Sequence, residues 1–167
     1  MSTRTTVDID PTGLREAFGH FPTGVVAVCA EIGGERVGMA VSSFVPVSLE
    51  PPLVAFCVQN TSTTWPSLQR SSEIGVSVLG ERHERAVRSL AGDAAGRFTE
   101  LRTETHQGGA LFIDGASVWL TTVVTDITAA GDHLIVVLRV RAMRVQPTVE
   151  PIVFHRSGLR RLAPERS

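Results

Sequence analysis

Apolar and polar residues fall along this chain in blocks that read, almost throughout, as strands joined by tight turns. Residues 23 to 32, TGVVAVCAEI, are nearly all apolar and rich in β-branched side chains. Gly33-Gly34 follows, a two-residue hairpin signal. Residues 36 to 48, RVGMAVSSFVPVS, return as one long strand, with Pro46 making its far end irregular or edge-exposed. Pro51-Pro52 marks a turn before LVAFCVQ, a third strand. IGVSVL (74–79), ASVWLTTVVTDI (116–127) and LIVVLRVRAMRV (134–145) read as further strands, and PIVFH and GLRRL close the chain. In the last long strand alternation is clean from Leu138 and slips at Met143-Arg144, which predicts a bulge there. Helices are few and short. Asp10-Pro11 is a good start, Asp as N-cap and Pro in the first position, with Leu14, Ala17, Phe18 and Phe21 on one face. A second surrounds WPSLQRS (65–71). A third covers ERHERAVRSLA (81–91), supported by the i,i+4 pairs Glu81–Arg85 and Glu84–Arg88. Residues 92 to 115 are Gly-rich and less regular. Consecutive strands with tight turns predict a mainly β chain with an antiparallel sheet, a barrel rather than βαβ units.

Composition narrows the class without naming a function. At 167 residues, 43% apolar and 20% charged, the chain is an ordinary globular domain. We read residues 1–167 as one domain, with about residues 1 to 10 as a flexible tail. A formal charge of -1 provides no broad attraction to nucleic acid or anionic lipid. All 16 basic residues are Arg. No segment is long and apolar enough to span a bilayer, and the polar start carries no apolar export core; both point to the cytoplasm. Cys29 and Cys57 sit inside apolar runs and read as small buried hydrophobes rather than a disulfide.

The usual catalytic motifs are missing. There is no dinucleotide-binding G-x-G-x-x-G, no P-loop and no G-x-S-x-G elbow. The five His show no metal spacing. If the protein is an enzyme, a bound cofactor supplies the reactive group. Three stretches could hold one. Asn60, Thr61, Ser62, Thr63 and Thr64 put consecutive amide and hydroxyl side chains just before a helix start, which suits a phosphate; the plain alternative is a cap with a polar loop. Gly38 to Phe44, GMAVSSF, interrupts a strand with Gly and two serines. It is either a backbone approached closely by a planar ring, polar edge to N–H groups and hydroxyls, or a strand with one solvated face. Residues 130 to 133, AGDH, are either a simple turn or one that presents His133 to a ligand.

Together these stretches are more specific than any alone. FPTGV (21–25), GMAVSSFVPVSLEPPL (38–53), STT (62–64), GGALFIDGASVWL (108–120) and GDH (131–133) resemble, in that order, the flavin reductase family with its FMN-binding split-barrel fold, often the reductase component of two-component flavin monooxygenases. The resemblance runs from about residue 12 to 162. It implies an antiparallel split β-barrel, a homodimer, FMN or FAD as flavin near the subunit interface, and NADH or NADPH as hydride donor. It implies that Gly38, Met39, Ala40, Val41, Ser42, Ser43 and Phe44 cradle the isoalloxazine ring and that Ala55 to Val58 of the next strand, Ala55 and Cys57 among them, line it. Ser62 and Thr64 fall where the family holds the flavin phosphate, with Asn60 and Thr63 as further cofactor-binding candidates; Arg97-Phe98 resembles a basic–aromatic pair near the site, and His133 matches the His that meets the nicotinamide. The chain departs from the pattern at Ala40, where Thr is frequent; at Pro46, often Ser; and at Thr63, often Lys or Arg. The closing Y-x-x-G-x-Y appears as HRSGLR (155–160). The leading expectation is an NAD(P)H:flavin oxidoreductase that supplies reduced flavin to a partner oxygenase. Beside it stand a flavoprotein that keeps its flavin and acts on its own substrate, and a non-catalytic flavin-binding module.

Overall fold

The computed structural model describes residue 6 and residues 9–165; most of the expected tail lies outside them. Twelve strands follow in chain order: β1 (Thr23–Gly24), β2 (Val26–Ile32), β3 (Glu35–Val41), β4 (Val45–Leu49), β5 (Pro52–Gln59), β6 (Ile74–Val78), β7 (Thr103–Thr105), β8 (Leu111–Ile113), β9 (Val118–Ala130), β10 (His133–Val145), β11 (Ile152–His155) and β12 (Gly158–Arg161). The helices are α1 (Pro11–Gly19), α2 (Trp65–Leu68) and α3 (Glu84–Ala91), with a 3₁₀ turn at Ala94–Gly96. Seven strands form one antiparallel sheet in the order β3-β2-β6-β9-β10-β5-β4, β1-β11-β12 form a second and β7-β8 a third.

Side chains of alternate residues leave a strand on opposite faces, and β2 explains why its run is apolar throughout: both faces are buried. Val26, Val28 and Ala30 join Phe56, Leu68, Ile74, Val76, Val136 and Leu138 in the main core. Ala27 and Cys29 face a second core with Leu79, Leu90, Leu111, Ile113 and Ile152. The β2–β3 hairpin turns on Gly33 and Gly34, at φ 60° and 84°, a conformation that suits glycine. Asp10 caps α1 through Oδ1, which accepts from Gly13 N at 2.7 Å.

Several expectations need correction. The long strand over 36–48 is two: β3 ends at Val41, Ser42 to Phe44 cross over, and β4 starts at Val45 on the opposite edge of the sheet. Pro46 does sit on that edge, beside a register shift between Pro46 and Ser48. The slip expected at Met143-Arg144 lies earlier, at Val137/Leu138 and Val140/Ala142, where β10 bends against β9. Glu84 and Arg88 pair, but Arg85 pairs with Glu100 rather than Glu81. Cys57 is exposed and only Cys29 is buried. The apolar face expected on α1 is not buried: the helix ends at Gly19, before Phe21, and Phe18 and Phe21 are 68% and 74% exposed.

Candidate functional site

The row of polar residues after β5 is a bridge with a different anchor at each end. At its start, Asn60 N donates to Asp132 O at 3.0 Å. Asn60 Nδ2 donates to Gly131 O at 3.3 Å. This end is thereby stitched to the β9–β10 turn, where His133 pairs with Gln59 across the ladder. His133 Nδ1 lies 2.7 Å from Asp132 Oδ1. The hydrogen bond from His133, and then its charge, hold the Asp132 carboxyl below its ordinary range. In the middle, Ser62 Oγ accepts from Trp65 N at 3.2 Å and is the side chain that caps α2. At its far end, buried Thr64 accepts from Arg97 Nη1 through Oγ1 at 2.6 Å.

That last contact changes how an anion would be held here. With only four residues, α2 has a negligible dipole, and the first N–H of the helix, that of Trp65, is taken by Ser62. A cation is present instead, from residue 97. Arg97 Nη1 also donates to Gly38 O at 3.0 Å, and Nε to Gly92 O at 2.9 Å. Its Nη2 group has no protein partner among the described residues. Arg97 uses the two Nη1 protons on Gly38 and Thr64, so the hydroxyl proton of Thr64 remains available to an acceptor.

Gly38 lies in unbroken register opposite Cys29, so no bulge forms there. Its glycine answers a packing need: a Cβ would meet Cys29 Sγ at 2.4 Å and Phe98 Cζ at 2.9 Å. Burial pushes the Cys29 thiol up to about 12, against the smaller opposing pulls of the Met39 backbone and Arg97. No strand lies beyond β3, which ends the sheet. Gly38 O therefore points outward, to Arg97. Backbone groups two residues apart on a strand point the same way, so the N–H and C=O of Ala40 face the same open side.

Side chains of the 38–44 stretch divide. Met39, Val41 and Phe44 pack on the main core, Ala40 on the second, and Ser42 is exposed. Ser43 Oγ accepts from Cys57 N at 2.9 Å and donates to Cys57 O at 3.1 Å. It replaces a ladder partner for β5 beyond the end of β4, and its proton is spent. Ala55 is buried between Val45 and Val137, its ladder neighbours.

A cleft of about 540 Å³ opens beside Arg97. Gly38, Thr63, Thr64, Arg97 and Phe98 line it, as expected site residues; Met39, Ala40, Val41, Ser42, Ser43, Phe44, Ala55, Cys57, Asn60, Ser62 and His133 do not. Sequence reasoning missed Glu35, Arg36, Ser67, Ala95 and Thr99 on its wall. Arg36 had a signal: it stands two residues before Gly38 and shares its face. Its guanidinium lies 5.4 Å from the centre of the Phe98 ring.

The barrel is split between β3 and β4 and leaves an open backbone edge beside hydroxyls and a guanidinium, the architecture of a class of split-barrel proteins. The chain belongs to the flavin reductase like domain family, which matches residues 18–163; it has the fold of that family and is a flavin oxidoreductase. It is 36% identical over 151 residues to a flavin reductase of Pseudomonas putida, covering 90% of this chain and 89% of the relative. It is 29% identical over 161 residues to a Mycobacterium tuberculosis protein named as the reductase subunit HsaB of a flavin-dependent monooxygenase, covering 95% and 86%. The solved Streptomyces globisporus NADH:FAD oxidoreductase SgcE6, in complex with NAD and FAD fragments, superposes with a TM-score of 0.92 at 34% identity, over 98% of this chain and 100% of that one.

Proposed function

We propose that the protein reduces free flavin with a nicotinamide nucleotide and passes the reduced flavin to a partner monooxygenase. The observation that carries this reading is the open edge of β3 at Ala40, placed beside the Thr64–Arg97 pair. Flavin, when bound, supplies a two-electron acceptor for the hydride of the nicotinamide, a transfer that needs no protein acid or base.

The task of the chain is therefore to position and to exclude water. The Ala40 N–H and C=O pair with the polar edge of the ring. Thr63, which makes no hydrogen bond among the described residues, and Thr64 donate to the phosphate, and Arg97 neutralises it. Ser62 holds the turn that presents them. His133, steadied by Asp132, meets the nicotinamide. Because Asn60 is bonded to the turn that carries His133, the two ligands are registered by one five-residue bridge.

A second copy of the chain belongs over the exposed apolar residues around α1 and on β4, where Phe18, Phe21 just past the helix, Val47 and Leu49 lie open. A homodimer with flavin at its seam accounts for them. The free cysteines, and the fact that no described helix is long and apolar enough to cross a membrane, accord with a cytoplasmic enzyme.

Flavin titration of the purified protein, followed by nicotinamide oxidation with and without added flavin, tests the reading. His133→Ala is expected to raise KM for the nicotinamide and leave flavin Kd close to that of the parent. Arg97→Ala is expected to weaken flavin by about tenfold, the worth of a charge-assisted hydrogen bond or two. Nicotinamide oxidation that never requires flavin, or two variants that behave like the parent, would overturn it.

A further inference from the structure

The turn between β9 and β10 has only two residues, Gly131 and Asp132, since Ala130 pairs with His133. Of the two, Gly131 alone lies at positive φ, at 63°, which a hairpin turn of this length suits to glycine. The turn is the tip of an exposed ribbon: residues 125–132 all lie open. Water can satisfy carbonyls in such a place. Here one residue takes both. Asn60 N donates to Asp132 O at 3.0 Å, and Asn60 Nδ2 donates to Gly131 O at 3.3 Å. The Asn60 amide thus faces the turn, and Asn60 does not line the cleft beside Arg97. We infer that Asn60 is a positioning residue for His133, serving the nicotinamide rather than the flavin phosphate; this rests on the reading above that His133 meets the nicotinamide.

The path from Asn60 to the imidazole is short. The His133 backbone is held in the sheet between Gln59 and Ala130. Its ring is held by Asp132. A carboxylate only accepts, so the 2.7 Å contact is a bond from Nδ1–H to Asp132 Oδ1. Nε2 has no protein partner among the described residues and is the nitrogen left for a ligand. Its direction depends on where the Asp132 carboxylate stands. That in turn depends on the peptide between Gly131 and Asp132, whose carbonyl is Gly131 O. This is the central peptide of the turn, the one whose rotation converts one hairpin turn type into the other and carries the second residue to positive φ. Asp tolerates that conformation, so the rotation is open to this turn, and it would take the carboxylate away from His133. The bond from Asn60 Nδ2 holds the peptide in place, and the bond from Asn60 N holds the next carbonyl.

Steady-state kinetics and flavin titration of the full chain, with Asn60→Ala and Asn60→Asp, test this. The first variant removes the side-chain donor. The second keeps its shape and sets a carboxylate against Gly131 O. Each is expected to raise the nicotinamide KM by about two- to tenfold, the range of one hydrogen bond, and to leave flavin Kd unchanged. The same substitutions made in a His133→Ala background are expected to add nothing to the nicotinamide KM, because residues that act as a unit are not additive. A general loosening of the fold would add in both backgrounds. In Asn60→Ala the Asp132 carboxyl, followed by carboxyl-carbon NMR, is expected to titrate at higher pH as its bond to His133 is made less often. An unchanged nicotinamide KM in both variants, an effect of full size in the His133→Ala background, an unmoved Asp132 titration, or weakened flavin in place of weakened nicotinamide would overturn the inference while leaving the flavin reductase intact. If His133→Ala itself keeps the parent's nicotinamide KM, the inference and the role of His133 fall together.

Discussion

Gly38→Ala is the sharpest structural test, because it presses on the hinge between the core and the site. The new Cβ would lie 2.4 Å from Cys29 Sγ, 2.9 Å from Phe98 Cζ and 3.1 Å from Cys29 Cβ. All three neighbours are buried, so none can swing into solvent. Overpacking of this kind costs ~1–3 kcal/mol, and the lower chain entropy of alanine returns ~0.5–1 kcal/mol. The net, about 1–2 kcal/mol, lowers Tm by roughly 2–8 °C for a chain of this size. Moving β3 also moves Gly38 O away from Arg97, so flavin affinity falls in the same variant. Cys29→Ala removes the closest atom of the clash. By itself it costs about 1 kcal/mol for a lost buried group. Combined with Gly38→Ala it is expected to give a loss smaller than the sum by ~1 kcal/mol, and to recover part of the flavin binding. Thermal and chemical denaturation of the four proteins, with a flavin titration of each, closes the cycle. A Gly38→Ala protein as stable as the parent, or strict additivity with Cys29→Ala, would show that Gly38 does not serve this close approach.

Three further outcomes follow from the hydrogen bonds and the titrating groups. Ser43→Ala takes both backbone partners from Cys57 at an exposed position, so water replaces them and the cost is about 1 kcal/mol; amide exchange at Cys57 should quicken well before global unfolding. Cys57 should react with a thiol reagent in the native protein, whereas Cys29, buried and pushed up to about 12, should react only after denaturation; two fast thiols in the native state would contradict the packing around Gly38. Asp132 is held below its ordinary range by His133, so its contribution to the folded turn is present above the unfolded pKa and lost as pH falls through the folded one. In His133→Ala the Asp132 carboxyl should titrate at higher pH, followed by carboxyl-carbon NMR, and an unmoved titration would mean the pair does not form in solution.

What was legible in the sequence was local in its physics. β2 and the Gly33-Gly34 turn announced themselves through residues in direct succession, and Asp10-Pro11 through a three-residue cap. The row at 60–64 stood out because five polar side chains exceed what one cap requires. Contacts between distant residues had no such signal. Arg97 reaches Thr64 across 33 positions and Gly38 across 59, and no spacing rule links a guanidinium in a Gly-rich stretch to a hydroxyl before a helix. Thr63 stands where relatives often carry Lys or Arg, and Arg97 reaches its neighbour Thr64 from another part of the fold, which a linear comparison cannot display. Cys57 was misread because its strand is apolar, but β4 pairs with β5 only from Pro52 to Ala55, and past that point the edge is open. β7 and β8, three residues each, are too short for alternation to register.

An unclosed sheet has two edges, and each exposes backbone groups that must be satisfied or protected. Among the described residues, one side chain bonds the backbone near each edge. Ser43 bonds both the N–H and the C=O of Cys57 where β4 has peeled away, and Arg97 covers Gly38 O where no strand follows β3. Both residues come from segments without regular structure, which can approach an edge at an angle no strand could adopt. Along β3, the next outward-facing group after Gly38, the backbone of Ala40, makes no hydrogen bond among the described residues. In the proposed function, the in-plane hydrogen bonds at Ala40 and the Arg97 contact beside Gly38 fall within two residues of each other on β3.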